Sequence, residues 1–571
     1  MSLWFRQKRQ PSVLKQICSI RELQNLVQDM LNEYTGNTLG DIGLEEGLKK
    51  NQEERRRTIS RSIRLCCSGN YGAREAVKEL IQSYLAEQLR VEEQLIRKAI
   101  PFDTPKNMSA WQQLETLLLY YDKIEEDKGF YWLCEAFGWN KPGMVVSEEE
   151  VQRAYMLVKP ELSGAEELMV LSQLLFSRTV GLGIIDSLNY QKGFIEEIQI
   201  GMSGRPEQQY DYKEELSGKR RENFSRDGVH VMAGGSTIWL KCLSFETEAE
   251  LQRVLRNLVK ESKGGELTKN HPMLVVDTVD GRRISVSRPP MTDAWVGLIR
   301  KFDTVKEVSL KNLYRGYPEE ELLPDLLKQL VKSGRNIAIT GEMASGKTTL
   351  FRACLIETQK NMNIRVIEVE SFELNVRSFM PGANTMTMRV TEQTPADEVL
   401  AFARKTTGQI FAIGEINSAS VASMAMDLSK IASQLLFSAH YITTEHMIAD
   451  FINAKLCVGG YSEEALAEHE VVRCLGFDVH LKVRRGRRYV SYINEIVPTE
   501  KRGYHIRPIY VFDEDKEQGV LLNAPGRISY ERAKQLLEKE DYMEFFRFFE
   551  SRISETVSLW GEADFSVSTG M

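Results

Sequence analysis

The chain has 571 residues, room for about three or four domains, with 42% hydrophobic and 27% charged residues and a formal net charge of −7. This is the composition of an ordinary globular protein, and its acidic balance weighs against a nucleic-acid binder, whose phosphate contacts need a basic surface. No uninterrupted apolar run is long enough to span a bilayer. The opening Met1–Pro11 is basic but lacks the apolar core of a signal peptide, so the chain is expected in the cytoplasm. Eight scattered cysteines form no C-x-x-C pair, and Cys66-Cys67 fit neither a zinc pair nor a disulfide framework, which points to structural thiols in a reduced compartment.

In chain order, residues 12 to 100 read as polar helices. The stretch Arg74–Arg90 places Val77, Leu80, Ile81, Tyr84 and Leu85 on one face. The charge run Asn51–Arg57 reads as a solvated helix face. Mixed helices continue to about residue 190, where the pattern changes. Phe194–Ile200, Ser236–Cys242 and Met273–Asp277 read as strands, with a helix over Glu246–Lys260 between the last two. A helix over 321–333 precedes the most informative stretch of the chain.

That stretch, Asn336–Leu350, is an apolar strand-like run, then G-x-x-x-x-G-K-T from Gly341 to Thr348, then a helix-forming run. This order is the setting in which such a loop cradles phosphate: glycines admit backbone N–H groups to the oxygens, and the new helix adds its positive dipole end. Gly341, Ala344, Ser345, Gly346, Lys347, Thr348 and Thr349 are the expected binding residues for ATP. Lys347 would reach the β/γ-phosphates, and the Thr348 hydroxyl would meet Mg²⁺.

Strands and helices alternate beyond it, which implies a parallel sheet with polar chemistry at the strands' carboxyl ends. Ile364–Glu370 is a strand ending in carboxylates. Ile410–Ile413 runs into Gly414-Glu415, and Leu435–His440 ends in a histidine, with helices near 395–407, 418–432 and 444–456. Glu415 is expected to hold Mg²⁺ through water or to polarise the attacking water; a strand-end surface carboxylate is the plainer alternative. Glu370 is the candidate that orients water, with Glu373 a nearby alternative, and both also suit a capping or solvent-facing acid. His440 is a candidate of the same site, though a lone histidine is more often structural. Short strands return near 478–512, and 527–560 reads as amphipathic helix.

These residues together resemble the secretion ATPases of type II and type IV systems, and within them the CpaF/TadA-type ATPases of tight-adherence (Flp-like) pilus assembly. The resemblance covers residues 190 to 515. It rests on Phe194-Ile-Glu-Glu-Ile198, on Arg283–Pro290 followed by Leu298–Phe302, and on Leu326–Thr349. It continues through Val369-Glu370 at the Asp box, Ala412–Glu415 as Walker B and Ser438-Ala-His440 at the His box, and ends with Leu481–Arg488 through Ile493–Ile496. The chain departs from the family at three places. Ser371 replaces the Asp-box aspartate, Ile416-Asn417-Ser418 replaces the V-R-G after Walker B, and Lys430-Ile431-Ala432 with Tyr441-Ile442-Thr443 replace the ends of the His box.

The resemblance implies an α/β fold: a RecA-like P-loop NTPase domain at 316–515, preceded by an α+β nucleotide-contacting domain at 191–315. A helical N-terminal extension at 1–190, a possible docking module, and a helical C-terminal extension at 516–571 flank them. It implies a hexameric ring, integral-membrane platform proteins as partners and a peripheral position at the inner face of the cell membrane; the acidic charge adds the expectation of no nucleic acid. It also implies that Arg300 is the charge that reaches the phosphates, with Lys301 beside it. The implied activity is ATP hydrolysis driving pilin polymerisation or protein export. The altered boxes keep a second reading open, a nucleotide-binding structural subunit with little turnover. A DNA-translocating motor is a third reading, disfavoured by the acidic charge.

Overall fold

The computed structural model describes residues 19–35, 46–66, 70–89, 91–202, 224–260, 266–278, 281–301, 308–358, 362–369, 374–458, 460–484, 487–499 and 503–553. The chain divides into two compact units, Met1–Thr304 and Val305–Met571.

In the first unit, helices from Ile20–Thr35 to Asp186–Tyr190 precede a six-stranded antiparallel sheet. Its strands are β1 (Ile195–Ile200), β2 (His230–Ala233), β3 (Ser236–Trp239), β4 (Met273–Asp277), β5 (Arg283–Ser287) and β6 (Val296–Arg300), in the order β3-β2-β1-β6-β5-β4. The helices start where the sequence supplies caps: Ser109 with Gln112 and Ser163 with Glu166 form capping boxes. The helix Glu248–Leu258 buries Leu251, Val254, Leu255 and Leu258, spaced i, i+3, i+4, i+7. One continuous apolar core runs through the helices and the inner face of the sheet. The helix expected over 74–90 is the regular Tyr71–Ser83 followed by a π-helical turn, Tyr84–Gln88. Arg74 on that helix is buried, because its guanidinium bonds Asp186 at 2.8 Å and Gln173 at 3.0 Å and lies over the Tyr190 ring.

The second unit is built on a nine-stranded sheet. Its strands are β7 (Ile337–Gly341), β8 (Ile364–Val369), β9 (Thr385–Val390), β10 (Ile410–Ile416), β11 (Gln434–Ala439), β12 (Phe477–Arg484), β13 (Arg487–Pro498), β14 (Tyr504–Asp513) and β15 (Gln518–Leu521). The order is β15-β14-β13-β12-β7-β11-β10-β8-β9. The six strands from β12 to β9 are parallel, and β13, β14 and β15 add an antiparallel edge. Strand β7, which leads into the glycine loop, lies between β12 and β11, and β11 separates it from β10. This is the RecA-like order, with one strand between the loop strand and β10. Both faces are covered: Ile337 and Ile339 join one core and Ala338 the other, as do Ile410 and Ala412 against Phe411 and Ile413. Burial on both faces is why these strands read as continuous apolar runs rather than alternating ones.

Behind β10 and β11, the helices Ala419–Ser429, Thr444–Cys457 and Glu464–Cys474 share a charged cluster. Lys455, 1% exposed, meets Asp427 at 2.7 Å and Glu470 at 3.3 Å, and the more exposed Lys430 meets the same two carboxylates. Burial raises the Asp427 carboxyl, but its hydrogen bonds to Lys455 and Lys430 outweigh that and hold it below the usual range. Its contribution is therefore present above the ordinary carboxylate range and lost as pH falls through the folded value, below about pH 4. Lys455→Ala leaves two acids facing one partly exposed lysine. It should cost about 3 kcal/mol in thermal or urea unfolding of this unit, and a loss under about 1 kcal/mol would show that Lys430 suffices.

No described helix is long and apolar enough to cross a membrane, and no group of three or more metal-ligating side chains occurs among the described residues.

Candidate functional site

The glycine loop leaves β7 at Gly341 with φ +139°, passes Ala344 at φ +59° and turns into the helix Lys347–Ile356 through Gly346 at φ +91°. Positive φ at Ala344 and Gly346 curls the loop, the backbone shape that can turn successive N–H groups toward an anion. At Gly341 a β-carbon would lie 2.3 Å from the Leu481 carbonyl oxygen of the neighbouring strand, so no side chain fits there. Ser345 donates to the Glu342 carbonyl at 2.8 Å, and Arg488 on β13 donates to the Ala344 carbonyl at 3.0 Å. The loop is thus held from inside and from the antiparallel edge of the sheet.

Lys347 opens the helix and is buried. Its Nζ donates to the Gly341 carbonyl at 3.1 Å and the Glu342 carbonyl at 2.7 Å, and lies 3.1 Å from His440 Nδ1. On the far side of the ring, His440 Nε2 is 3.0 Å from Glu415 Oε1. An ammonium has only donors, so Nδ1 is the acceptor and the imidazole proton sits on Nε2, facing the carboxylate. A hydrogen-bonded chain Lys347–His440–Glu415 therefore joins the loop strand, β11 and β10 at their carboxyl ends. Glu415 reaches it because the β10–β11 pairing is irregular between Ile413 and Ile416, where Ser438 Oγ donates to the Gly414 carbonyl at 2.5 Å. Bulges of this kind re-aim a side chain next to a site.

Of the residues expected from sequence, the structure brings together Gly341, Ala344, Ser345, Gly346, Lys347, Glu415 and His440. Thr348 and Thr349 are half-buried in the first turn of the loop's helix. Strand β8 ends at Val369, and Glu370 and Glu373 lie outside the described residues. Arg300 stands exposed on β6 of the first unit, in a cross-strand row with Glu197, Arg283 and Asp277. Lys301 is buried instead, donating to the Leu188 and Gln191 carbonyls at 3.0 and 2.8 Å.

The departures from the family pattern also have local roles. Ser418 caps the helix Ala419–Ser429, Thr443 caps Thr444–Cys457, and Lys430 belongs to the buried charge cluster. Sequence reading passed over Glu368. It is buried on β8, close to Gly414, and its Oε2 accepts the Leu374 N–H at 2.9 Å. An acid among Ile364, Val366, Ile367 and Val369 of a buried strand was the available signal.

A curled loop with positive φ, a buried lysine at a helix N-terminus and a strand-end acid with one strand between make a P-loop arrangement suited to nucleoside polyphosphates. No protein-family model matches the chain, and no curated protein matches it. Solved structures similar to it include secretion and pilus ATPases and a DnaB-like replicative helicase. The VirB11 ATPase of the Brucella suis type IV secretion system, in complex with sulphate, is 18% identical over 52% of this chain and 88% of that one, with a TM-score of 0.27. The Legionella pneumophila ATPase DotB is 12% identical over 64% and 94%, with a TM-score of 0.35. The pilus retraction motor PilT, with bound ADP, is 13% identical over 62% and 93%, also at 0.35. At these values the likeness is too weak to carry function, and the fold assignment rests on the strand order and loop geometry above.

Proposed function

We propose that this chain is an ATPase of the type II/IV secretion class, of the CpaF/TadA kind. It would couple ATP hydrolysis to pilin polymerisation or protein export through a membrane platform. The observation that carries the reading is the chain Lys347–His440–Glu415 at the mouth of a curled glycine loop. A phosphate oxygen entering the loop competes for the Lys347 ammonium with two backbone carbonyls and His440, so nucleotide binding would be felt directly at His440 and Glu415. The donor set suits a hard cation: the Thr348 hydroxyl and, through water, the Glu415 carboxylate would hold Mg²⁺. The metal, when bound, supplies charge neutralisation between the β- and γ-phosphates. Glu415, with its proton-donating neighbour His440, would orient and polarise the attacking water, as would Glu370. Arg300 is the proposed charge brought to the phosphates.

In this reading residues 316–515 are the motor, 191–315 the nucleotide-contacting domain, 1–190 a docking module for the platform, and 516–571 an extension. The working state is a ring of six at the inner face of the membrane. Light scattering with and without MgATP tests the ring, and a particle that stays monomeric at working concentration would sink it. The docking role has its own test. Leu157 and Met156, 69% and 41% exposed, end the helix Glu148–Val158 with apolar side chains in solvent. Leu157→Asp with Met156→Asp should leave ATP binding unchanged and weaken co-purification with the platform protein, whereas full recovery would set the docking role aside.

The second reading, a nucleotide-gated structural subunit, is favoured by one feature. Exposed Asn417 stands where the family carries an arginine, so that position supplies no cation two residues past the strand-end acid.

A further inference from the structure

Strand β12 reads Phe477-Asp-Val-His-Leu481, and its two polar residues face the loop strand. Asp478, fully buried, accepts the Thr340 hydroxyl at 2.6 Å on Oδ1 and the Thr444 hydroxyl at 2.6 Å on Oδ2. Thr340 directly precedes Gly341, whose carbonyl receives Lys347. Thr444 opens the helix that follows the His440 loop, four residues past the histidine. Asn494 on β13 donates to the Thr444 hydroxyl at 3.0 Å. Thr340 Oγ1 also lies 2.9 Å from His480 Nδ1, and the His480 ring stacks on Tyr492 with centroids 4.6 Å apart.

We propose that Asp478 is a positioning residue of the nucleotide site: one carboxylate ties the end of the loop strand to the loop after His440, and so fixes the Lys347–His440–Glu415 chain. The inference rests on reading that site as an ATP site. The proton inventory supports it. Thr340 has one hydroxyl proton and spends it on Asp478, so His480 Nδ1 must donate to Thr340, which sets His480 in its Nδ1–H form. Both Asp478 oxygens, the Thr340 and Thr444 hydroxyls, Asn494 Nδ2 and His480 Nδ1 then have matched partners, the condition for these atoms to hold one geometry. Burial lifts the Asp478 carboxyl to about 6, against the two hydroxyls that lower it. Burial, Lys482 and Lys347 lower the His480 imidazole to about 4. At neutral pH the carboxylate is charged and the imidazole neutral, the states the inventory needs. A strut of this kind acts by geometry, and misplacing a reacting group by about 1 Å can cost on the order of 100-fold in rate.

The test compares Asp478→Asn, Thr340→Val and Thr340→Ser in the full chain, reading kcat, the Kd for ATP and the melting temperature. The expected result is a kcat lowered about 10- to 100-fold in Asp478→Asn and Thr340→Val. The Kd should stay within about threefold, and Thr340→Ser, which keeps the hydroxyl, should hold nearly full kcat. Folded variants with unchanged kcat, or a loss that Thr340→Ser shares in full, overturn the proposal. If Asp478→Asn does not fold, the Thr340 pair decides alone. A wild type that binds ATP without turnover removes the motor reading but not this one. The ¹⁵N signals of His440 and His480 then carry the test. Wild type should show His480 protonated on Nδ1, and His440 should shift in Thr340→Val. An Nε2-protonated His480, or a His440 signal that stays put, overturns the strut.

Discussion

Lys347→Ala should abolish useful ATP binding. The buried ammonium reaches both carbonyls at the start of the loop and His440. In the bound state it would exchange carbonyl partners for phosphate oxygens. A charge-assisted hydrogen bond to a buried partner is worth about 1.5–3 kcal/mol. Loss of the lysine should therefore raise the Kd for MgATP on the order of 100-fold, read by calorimetry or by a fluorescent nucleotide. The substitution also strips His440 Nδ1 of its donor, so the melting temperature must be followed in parallel. An affinity within threefold of wild type, in a folded variant, would mean the loop does not bind phosphate through Lys347.

Glu415→Gln should separate binding from turnover. The amide keeps the size of the side chain, and its oxygen can still accept from His440 Nε2, so the loop and the lysine remain as they are. What disappears is the negative charge that would polarise water and help hold Mg²⁺. Removing a positioned general base typically costs about 10²–10⁴ in rate. The Kd for ATP should move by only a few fold, since β11 lies between the Glu415 strand and the loop strand. A Glu415→Gln chain that turns over at the wild-type rate would return Glu415 to the plainer reading of a surface carboxylate. Loss of binding together with turnover would give it a structural role instead.

The loop was legible because its backbone demands particular residues. Gly341 and Gly346 occupy conformations or spaces that a side chain does not fit, so the requirement is written locally in the sequence. Glu415 and His440 could be placed because strand ends in a parallel sheet converge, although their contact through His440 Nε2 depends on an irregularity in β10 that no local pattern announces. The Asp478 strut was not legible. Its parts lie on β7, β12, β13 and a helix, and they meet only because β12 pairs with β7 in a register that sets His480 beside Thr340. The trace it left was the polar pair at 478 and 480 inside a strand flanked by Phe477, Val479 and Leu481. Lys455 hid for a related reason: on a helix, a lysine that pairs with two acids from neighbouring helices has the same local pattern as a solvated one. Lys301 and Arg300 show the limit of spacing alone. Adjacent cations at the end of β6 read alike in sequence, but one is spent on two carbonyls in the core and the other faces out.

The most direct measurement is phosphate release from MgATP by the purified full chain, with Lys347→Ala as background and a parallel reading without Mg²⁺. The account predicts steady turnover that falls to that background in Lys347→Ala and stops when the metal is chelated. Tight ATP binding with no release above the Lys347→Ala background would contradict the motor reading and leave the nucleotide-gated structural subunit in its place.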